Sequence, residues 1–294
     1  MELFSGSGVA LVTPFKNNKV DFQKLQLLIN WHIRKKSDAL IILGTTGEAA
    51  TLTDKEKKAI IDFTIKVANK RIFIIVGTGT NSTQTTIDMS VYAEKAGANA
   101  LLVVTPYYNK PSQKGLFAHY KELDSQVQIP IILYNVPSRT GVNLTPETVY
   151  ELSKLKNISA LKEASGDISQ VAKIIDLCGD ELIVYAGNDD QTIPILALGG
   201  RGVISVTANI IPEEIHQITN QYLTGDKKLA VEQFMKYRKL NQVLFIETNP
   251  VVVKNAMNLM GLNVGTCRLP LVEMEPKNQE VLKEVLEEYR LLVK

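Results

Sequence analysis

Short runs of Val, Ile, Leu and Ala recur along the first three quarters of the chain. Each is followed by a longer stretch in which apolar residues return every three or four positions. The short runs are Val9–Thr13, Ala39–Leu43, Ile72–Val76, Ala100–Thr105, Pro130–Tyr134, Ile158–Lys162, Leu182–Ala186 and Gly202–Val206. They are almost continuously apolar, the pattern of strands buried on both faces in a parallel sheet. The longer stretches carry helix punctuation. Asp21 is placed to cap a helix with Phe22, Leu25, Leu28, Ile29 and Ile33 on one face. Thr53-x-x-Glu56 has capping-box form ahead of Ile60, Ile61, Thr64, Val67 and Ala68. Thr145 precedes Pro146 as a cap precedes a proline at the first helical position, and Gly97 stands where a helix should end.

Strand followed by helix, repeated about eight times, predicts an α/β fold of the closed (β/α)8 TIM-barrel type. An open doubly wound sheet usually carries G-x-G-x-x-G after its first strand; here that strand leads into Thr13-Pro14-Phe15. After Thr224 the strand pattern stops, and Asp226–Glu247, Val251–Met260 and Asn278–Val293 read as helices. The expected organisation is a catalytic barrel domain over residues 1–224 and a C-terminal helical domain over 225–294, packed on the barrel without a flexible linker.

Composition narrows the function classes. The 294 residues are 45% hydrophobic and 22% charged, which excludes disorder, and 33 basic against 31 acidic side chains leave a net charge of +2. That balance provides neither a nucleic-acid footprint nor a polybasic membrane patch. Cys178 and Cys267 are too few for a zinc site or a disulfide framework, and His32, His119 and His216 lie apart without ligand spacing. No metal site is expected. The first residues lack signal-peptide form and no apolar run reaches ~18 residues, so a soluble cytoplasmic protein is expected.

In a barrel, reactive side chains project from the carboxyl ends of the strands. Those ends read GTTGE (Gly44–Glu48), TPYYNKP (Thr105–Pro111), YNVPSRTG (Tyr134–Gly141), LKEASGD (Leu161–Asp167) and AGNDD (Ala186–Asp190). They hold hydroxyls, phenols, one Arg and a Lys that closes a strand, with no histidine, which disfavours Ser-His chemistry and His-based acid–base work. Lys162 ends an apolar strand, where burial favours the neutral amine that attacks a ketone and forms a Schiff base. The alternative is an ion pair with Glu163 at the rim. Tyr134 ends the preceding strand, placed either to shuttle protons beside Lys162 or to rest at the rim with its hydroxyl in water. Thr45 and Thr46 precede Gly47 in a tight turn whose N–H groups suit a carboxylate, though plain turn chemistry explains them equally. Arg139 suits bidentate grip of a carboxylate, or is simply a surface arginine. Tyr107-Tyr108 suggests an interface or a reach into a site, and Gly77-Thr78-Gly79-Thr80 is only a weak phosphate-cradle signal.

In these motifs, and from Gly6–Phe15 through Phe245–Lys254, the chain closely resembles the 4-hydroxy-tetrahydrodipicolinate (dihydrodipicolinate) synthase family of pyruvate-dependent class I aldolase-like enzymes. The lysine-bearing strand, the GTTGE turn and the tyrosine-bearing strand are shared across that superfamily, whereas Arg139 within YNVPSRTG resembles the synthase branch. The resemblance implies Lys162 as the Schiff-base lysine, and Tyr134, Thr46 and Tyr108 as a proton relay, with Tyr108 supplied by a neighbouring subunit. It further implies that Thr45 and Thr46 hold the pyruvate carboxylate, that Arg139 receives L-aspartate-4-semialdehyde, and that Gly187, Ile204 and Asn249 line the pocket. The implied reaction belongs to lysine and diaminopimelate synthesis and needs no metal or organic cofactor, pyruvate being bound covalently as an imine. A dimer is the smallest complete unit implied, with a tetramer favoured by analogy. A lysine-effector site would map to Ala49, Ala50, Asp54, Lys57, Asn81, Thr85 and Tyr107. Lys57 and Thr85 depart from the His and Glu of inhibited members, so feedback is expected to be weak or absent. The competing readings are a lyase for sialic acid or a keto-deoxy sugar acid, and a catalytically silent barrel that binds a keto acid.

Overall fold

The computed structural model describes residues 3–293. Eight parallel strands close into a barrel: β1 (Gly6–Ala10), β4 (Ala39–Ile42), β5 (Phe73–Gly77), β6 (Ala100–Val104), β7 (Ile131–Asn135), β8 (Ile158–Glu163), β9 (Ile183–Ala186) and β10 (Gly202–Ser205). A two-residue hairpin, β2 (Phe15–Lys16) with β3 (Lys19–Val20), follows the first strand. The barrel helices are α1 (Phe22–Arg34), α2 (Asp54–Ala68), α3 (Thr83–Ala96), α4 (Gln113–Gln126), the single turn α5 (Pro137–Thr140), α6 (Pro146–Ser153), α7 (Ile168–Cys178), α8 (Thr192–Ala197) and α9 (Pro212–Thr224). Four further helices end the chain: α10 (Lys227–Lys236), α11 (Arg238–Val243), α12 (Val251–Leu259) and α13 (Pro276–Glu288). The α/β barrel expected from the sequence is therefore the fold.

Why the strands are apolar throughout follows from their two buried faces. Val9, Leu40, Ile42, Leu101, Val103, Ile131, Leu133, Leu161 and Val203 face outward into the cluster shared with the helices. Their neighbours Ala10, Ile41, Leu102, Ile132, Ala160, Tyr185 and Ile204 face inward and fill the barrel. The helix punctuation is realised as predicted. Asp21 accepts from the Lys24 N–H, Thr53 and Glu56 form both bonds of a capping box, Thr145 caps α6, and Gly97 ends α3 with a left-handed φ of 104°.

Several boundaries differ from expectation: most strand ends shift by one residue, the last helix runs Pro276–Glu288 and not Asn278–Val293, and two further differences have a clear cause. The first strand is Gly6–Ala10 rather than Val9–Thr13, because Gly6 and Gly202 pair so closely that a Cβ on Gly202 would lie 2.0 Å from the Gly6 carbonyl oxygen. The apolar run that drew the boundary onward, Leu11–Thr13, is buried but irregular. The helix expected over Asp226–Glu247 breaks at Tyr237 into α10 and α11. The Tyr289 hydroxyl of the segment after α13 donates to the Lys236 carbonyl at 2.6 Å, satisfying a group that the break leaves free. Here α10 packs along α9, while α11 and α12 pack on α13. Among the described residues, no helix is long and apolar enough to cross a membrane.

The histidines are structural. His32 is fully buried with Nδ1 2.9 Å from Ser37 Oγ, and burial holds its pKa down at about 3; burial holds His119 down at about 4. His216 moves the other way, raised by its 2.9 Å hydrogen bond to Asp38. A base with a depressed folded pKa loses stability as pH falls below ~6.5, by up to ~1.4 kcal/mol per pH unit until the folded pKa is reached. His216 contributes stability that is complete at low pH and is lost as pH rises through its raised pKa. His32→Gln is therefore expected to lose its disadvantage relative to the parent protein progressively between pH 7 and pH 4. Urea unfolding at a series of pH values checks this.

Candidate active site

The pleat decides which neighbours of Lys162 share its face. Strands β7 and β8 pair with Tyr134 opposite Lys162, and β9 places Tyr185 on its other side. Lys162 follows the inward residue Ala160 by two and so points into the barrel, where it is 5% exposed. Its Nζ stands 4.2 Å from the centroid of the Tyr134 ring, a cation–π distance. Among the described residues, no carboxylate forms an ion pair with it. The rim pairing with Glu163 is excluded: Glu163 lies on the opposite face. Its carboxylate there accepts from Asn135 Nδ2 at 3.0 and 3.2 Å and from the Ser165 N–H at 2.6 Å. Burial pushes the Glu163 carboxyl pKa up, against those hydrogen bonds.

Asp189 is managed the same way. It is fully buried, accepts from the Ser205 hydroxyl and from the N–H groups of Val206 (2.9 Å) and Thr207 (3.3 Å), and desolvation raises its pKa. These bonds hold the end of β10, where the fully buried Ile204 faces inward. Gly187 donates its N–H to the Glu163 carbonyl at 2.7 Å; a Cβ there would fall 2.7 Å from Ala164 Cβ, so only glycine lets the chain approach.

The GTTGE turn after β4 is bent by two left-handed non-glycine residues, Leu43 (φ 57°) and Glu48 (φ 55°). Such backbone persists only where its surroundings impose it. The Thr13 hydroxyl donates to the Gly47 carbonyl at 2.7 Å, and Asn249 Nδ2 donates to Thr46 Oγ1 at 3.0 Å. Thr46 is buried and Thr45 half-buried. Arg139, exposed on α5, donates to the Asn249 carbonyl at 3.1 Å. Asn249 thus joins Thr46 and Arg139 from a point more than a hundred residues away in the chain. Its own Oδ1 is buried without a partner.

Lys162, Tyr134, Thr46, Asn249, Gly187 and Ile204 therefore all sit buried or half-buried at the carboxyl end or interior of the barrel, with Arg139 at its edge. Tyr108 does not join them: it is 89% exposed on the loop after β6, with a left-handed φ of 72°.

With that geometry in place, comparison with known proteins is decisive. The sequence profile of the Dihydrodipicolinate synthetase family matches residues 3–289. The chain belongs to this family. A 4-hydroxy-tetrahydrodipicolinate synthase of Thermoanaerobacter sp. (strain X514) is 58% identical over 293 residues, 99% of each chain. The crystal structure of dihydrodipicolinate synthase from Aquifex aeolicus superposes with a TM-score of 0.97 at 43% identity, covering 99% of this chain and 100% of that one. That of the Acinetobacter baumannii enzyme, chloride-inhibited and complexed with pyruvate, gives 0.96 at 42% identity, covering 98% and 99%.

The positions where the sequence resemblance would put a lysine-effector site fall in three places. Ala49 and Ala50 lie in a short turn and Asp54 and Lys57 at the start of α2, with Lys57 Nζ 3.3 Å from Asp54. Asn81 and Thr85 flank the start of α3, and Thr85 bonds back to Ser82 Oγ at 3.1 Å. Tyr107 is half-buried after β6, and Asn109 ties its loop to the Asn81 carbonyl at 2.8 Å. Among the described residues, no group of three or more His, Cys, Asp or Glu could hold a metal ion.

The strand-end hydroxyls and Lys162 were readable from the sequence, but the braces were not. Glu48, Thr13 and Lys254 carry no isolated signal except that Lys254, like Lys162, interrupts an apolar run (Val251-Val252-Val253). Asp189→Ala is expected to strand two buried N–H donors at about 1–3 kcal/mol each, lowering the urea midpoint without unfolding the barrel at neutral pH.

Proposed function

We propose that the chain is a 4-hydroxy-tetrahydrodipicolinate synthase, a lyase of lysine and diaminopimelate biosynthesis that condenses pyruvate with L-aspartate-4-semialdehyde. The observation that carries the catalytic assignment is Lys162: a buried amine with no carboxylate partner among the described residues, aimed into the barrel beside the Tyr134 ring.

The Lys162 amine adds to the keto carbon of pyruvate, and loss of water leaves an iminium whose nitrogen acts as an electron sink. Tyr134, whose ring centroid lies 4.2 Å from the amine, serves as proton donor and acceptor for carbinolamine formation and dehydration. Thr46, its hydroxyl oxygen already accepting from Asn249, has its own proton free to donate and so passes protons onward. The N–H groups of the Thr45-Thr46 turn hold the pyruvate carboxylate. Loss of a methyl proton gives the enamine, whose carbon attacks the semialdehyde while Arg139 grips that substrate's carboxylate. The substrate amine then attacks the imine carbon, closes the ring and releases Lys162. Nothing in this sequence calls for a metal or an organic cofactor.

Tyr108 completes the relay from a second copy of the chain. Its exposure and left-handed backbone suit a side chain presented outward, and the working unit we propose is a dimer, paired into a cytoplasmic homotetramer. Arg139 favours the synthase over a sialic-acid or keto-deoxy-sugar lyase, because its guanidinium, tied by one bond to Asn249, retains donors for a carboxylate.

Borohydride reduction in the presence of pyruvate is expected to leave a stable adduct on Lys162, lost in Lys162→Ala together with turnover in a reductase-coupled assay. A keto-acid sensor would give no adduct. Arg139→Ala is expected to raise KM for the semialdehyde roughly 10–100-fold while pyruvate trapping survives, the cost of one charge-assisted pairing. Turnover of N-acetylneuraminate at a comparable rate would overturn the assignment. Because Lys57 presents a cation already engaged with Asp54, and Thr85 no anion, lysine is expected to inhibit only weakly. Half-maximal inhibition below millimolar lysine would contradict this.

A further inference from the structure

Lys254 is a second buried lysine, and no step above uses it. It lies on α12, 1% exposed, 4.3 Å from the Phe15 ring centroid. Its three ammonium protons meet three acceptors: Glu48 Oε1 at 2.8 Å, the Thr266 carbonyl at 2.9 Å and the Thr13 carbonyl at 3.0 Å. Glu48, equally buried, uses Oε2 to accept the Arg268 N–H at 2.9 Å. Burial pulls the Lys254 pKa down and the Glu48 carboxylate opposes it.

A buried ion pair adds little net stability, since desolvation cancels most of the attraction, and in some proteins its contribution is to fix relative position. What this pair fixes is the turn that carries Thr45 and Thr46. That turn is left-handed at Leu43 and again at Glu48, so it relaxes unless tethered. Two of its tethers, Asn249 on Thr46 and Lys254 on Glu48, come from one short segment on either side of the α12 amino end. The ion pair thereby sets where α12 sits against the turn, and so brings Asn249 Nδ2 to 3.0 Å from Thr46 Oγ1.

We infer that Glu48 and Lys254 are positioning residues that aim the Thr46 hydroxyl at the reacting pyruvate, acting through the turn and Asn249 without touching substrate. This rests on the relay role given to Thr46 above.

The test is a double-mutant cycle of Glu48→Gln and Thr46→Val in the full-length protein, with kcat, KM for both substrates, and urea midpoints. Glu48→Gln is expected to lower kcat at least tenfold and to change KM for the semialdehyde by less than about threefold. In the Thr46→Val background the same substitution should change kcat by less than about threefold, because residues that act as one unit are not additive. A merely structural contribution would give the same fold-loss in both backgrounds, and that result overturns the inference, as does parental kcat in Glu48→Gln. If Glu48→Gln is unfolded at the assay temperature, Glu48→Asp runs the same cycle, keeping the charge and drawing the carboxylate back by one carbon. If Thr46→Val alone keeps parental turnover, the relay role itself falls and the inference with it. An impaired Thr46→Val with multiplying losses removes only the inference.

Discussion

Closing a parallel sheet on itself gives every strand two buried faces, and successive side chains must alternate between them. That alternation is the constraint on which the site depends. It sends Lys162 inward, opposite Tyr134 in register, and Glu163 outward to Asn135 and Ser165. Two residues adjacent in sequence, one a lysine and one a glutamate, are sent to opposite faces by the pleat, and the contacts of Glu163 with Asn135 and Ser165 keep it there. The role proposed for the Lys162 amine needs that separation.

The buried carboxylates around the site share one design. Glu163, Asp189 and Glu48 each accept at least one backbone N–H, from Ser165, Val206 and Arg268 respectively. A carboxylate fixed by backbone donors cannot swing to a lysine without stranding those donors in a dry interior. Glu48 alone is given a lysine, and it is Lys254, whose remaining protons are taken by two carbonyls. Carboxyl groups therefore cluster near the barrel mouth, yet among the described residues none forms an ion pair with Lys162.

Much of this was legible in the sequence where local physics decides. The continuous apolar runs encode doubly buried strands, and Asp21, Thr53, Thr145 and Gly97 mark helix ends because capping needs only residues three or four positions away. Lys162 stood out because an ammonium in an apolar strand needs a reason. What was not legible depends on residues distant in the chain. The start of β1 is set by the close pairing of Gly6 with Gly202, which an apolar-run criterion misses. The break between α10 and α11 is tied to a Tyr289 hydroxyl that no helical periodicity can reveal. Asn249 drew notice only through family resemblance, since its bond to Thr46 spans some two hundred residues.

The amino end of the barrel holds one more feature of consequence. Phe4 stacks flat on Tyr185 with ring centroids 4.5 Å apart, the Tyr185 hydroxyl donates to the Phe4 carbonyl, and Leu3 joins the same interior cluster. Tyr185 is the strand neighbour of Lys162, so this packed layer is built on the strand beside that lysine. The barrel is then a well and not a tunnel. On the mechanism proposed above, substrates, the expelled water and the finished ring would share the carboxyl-end mouth, so their order of passage would enter the timing of turnover.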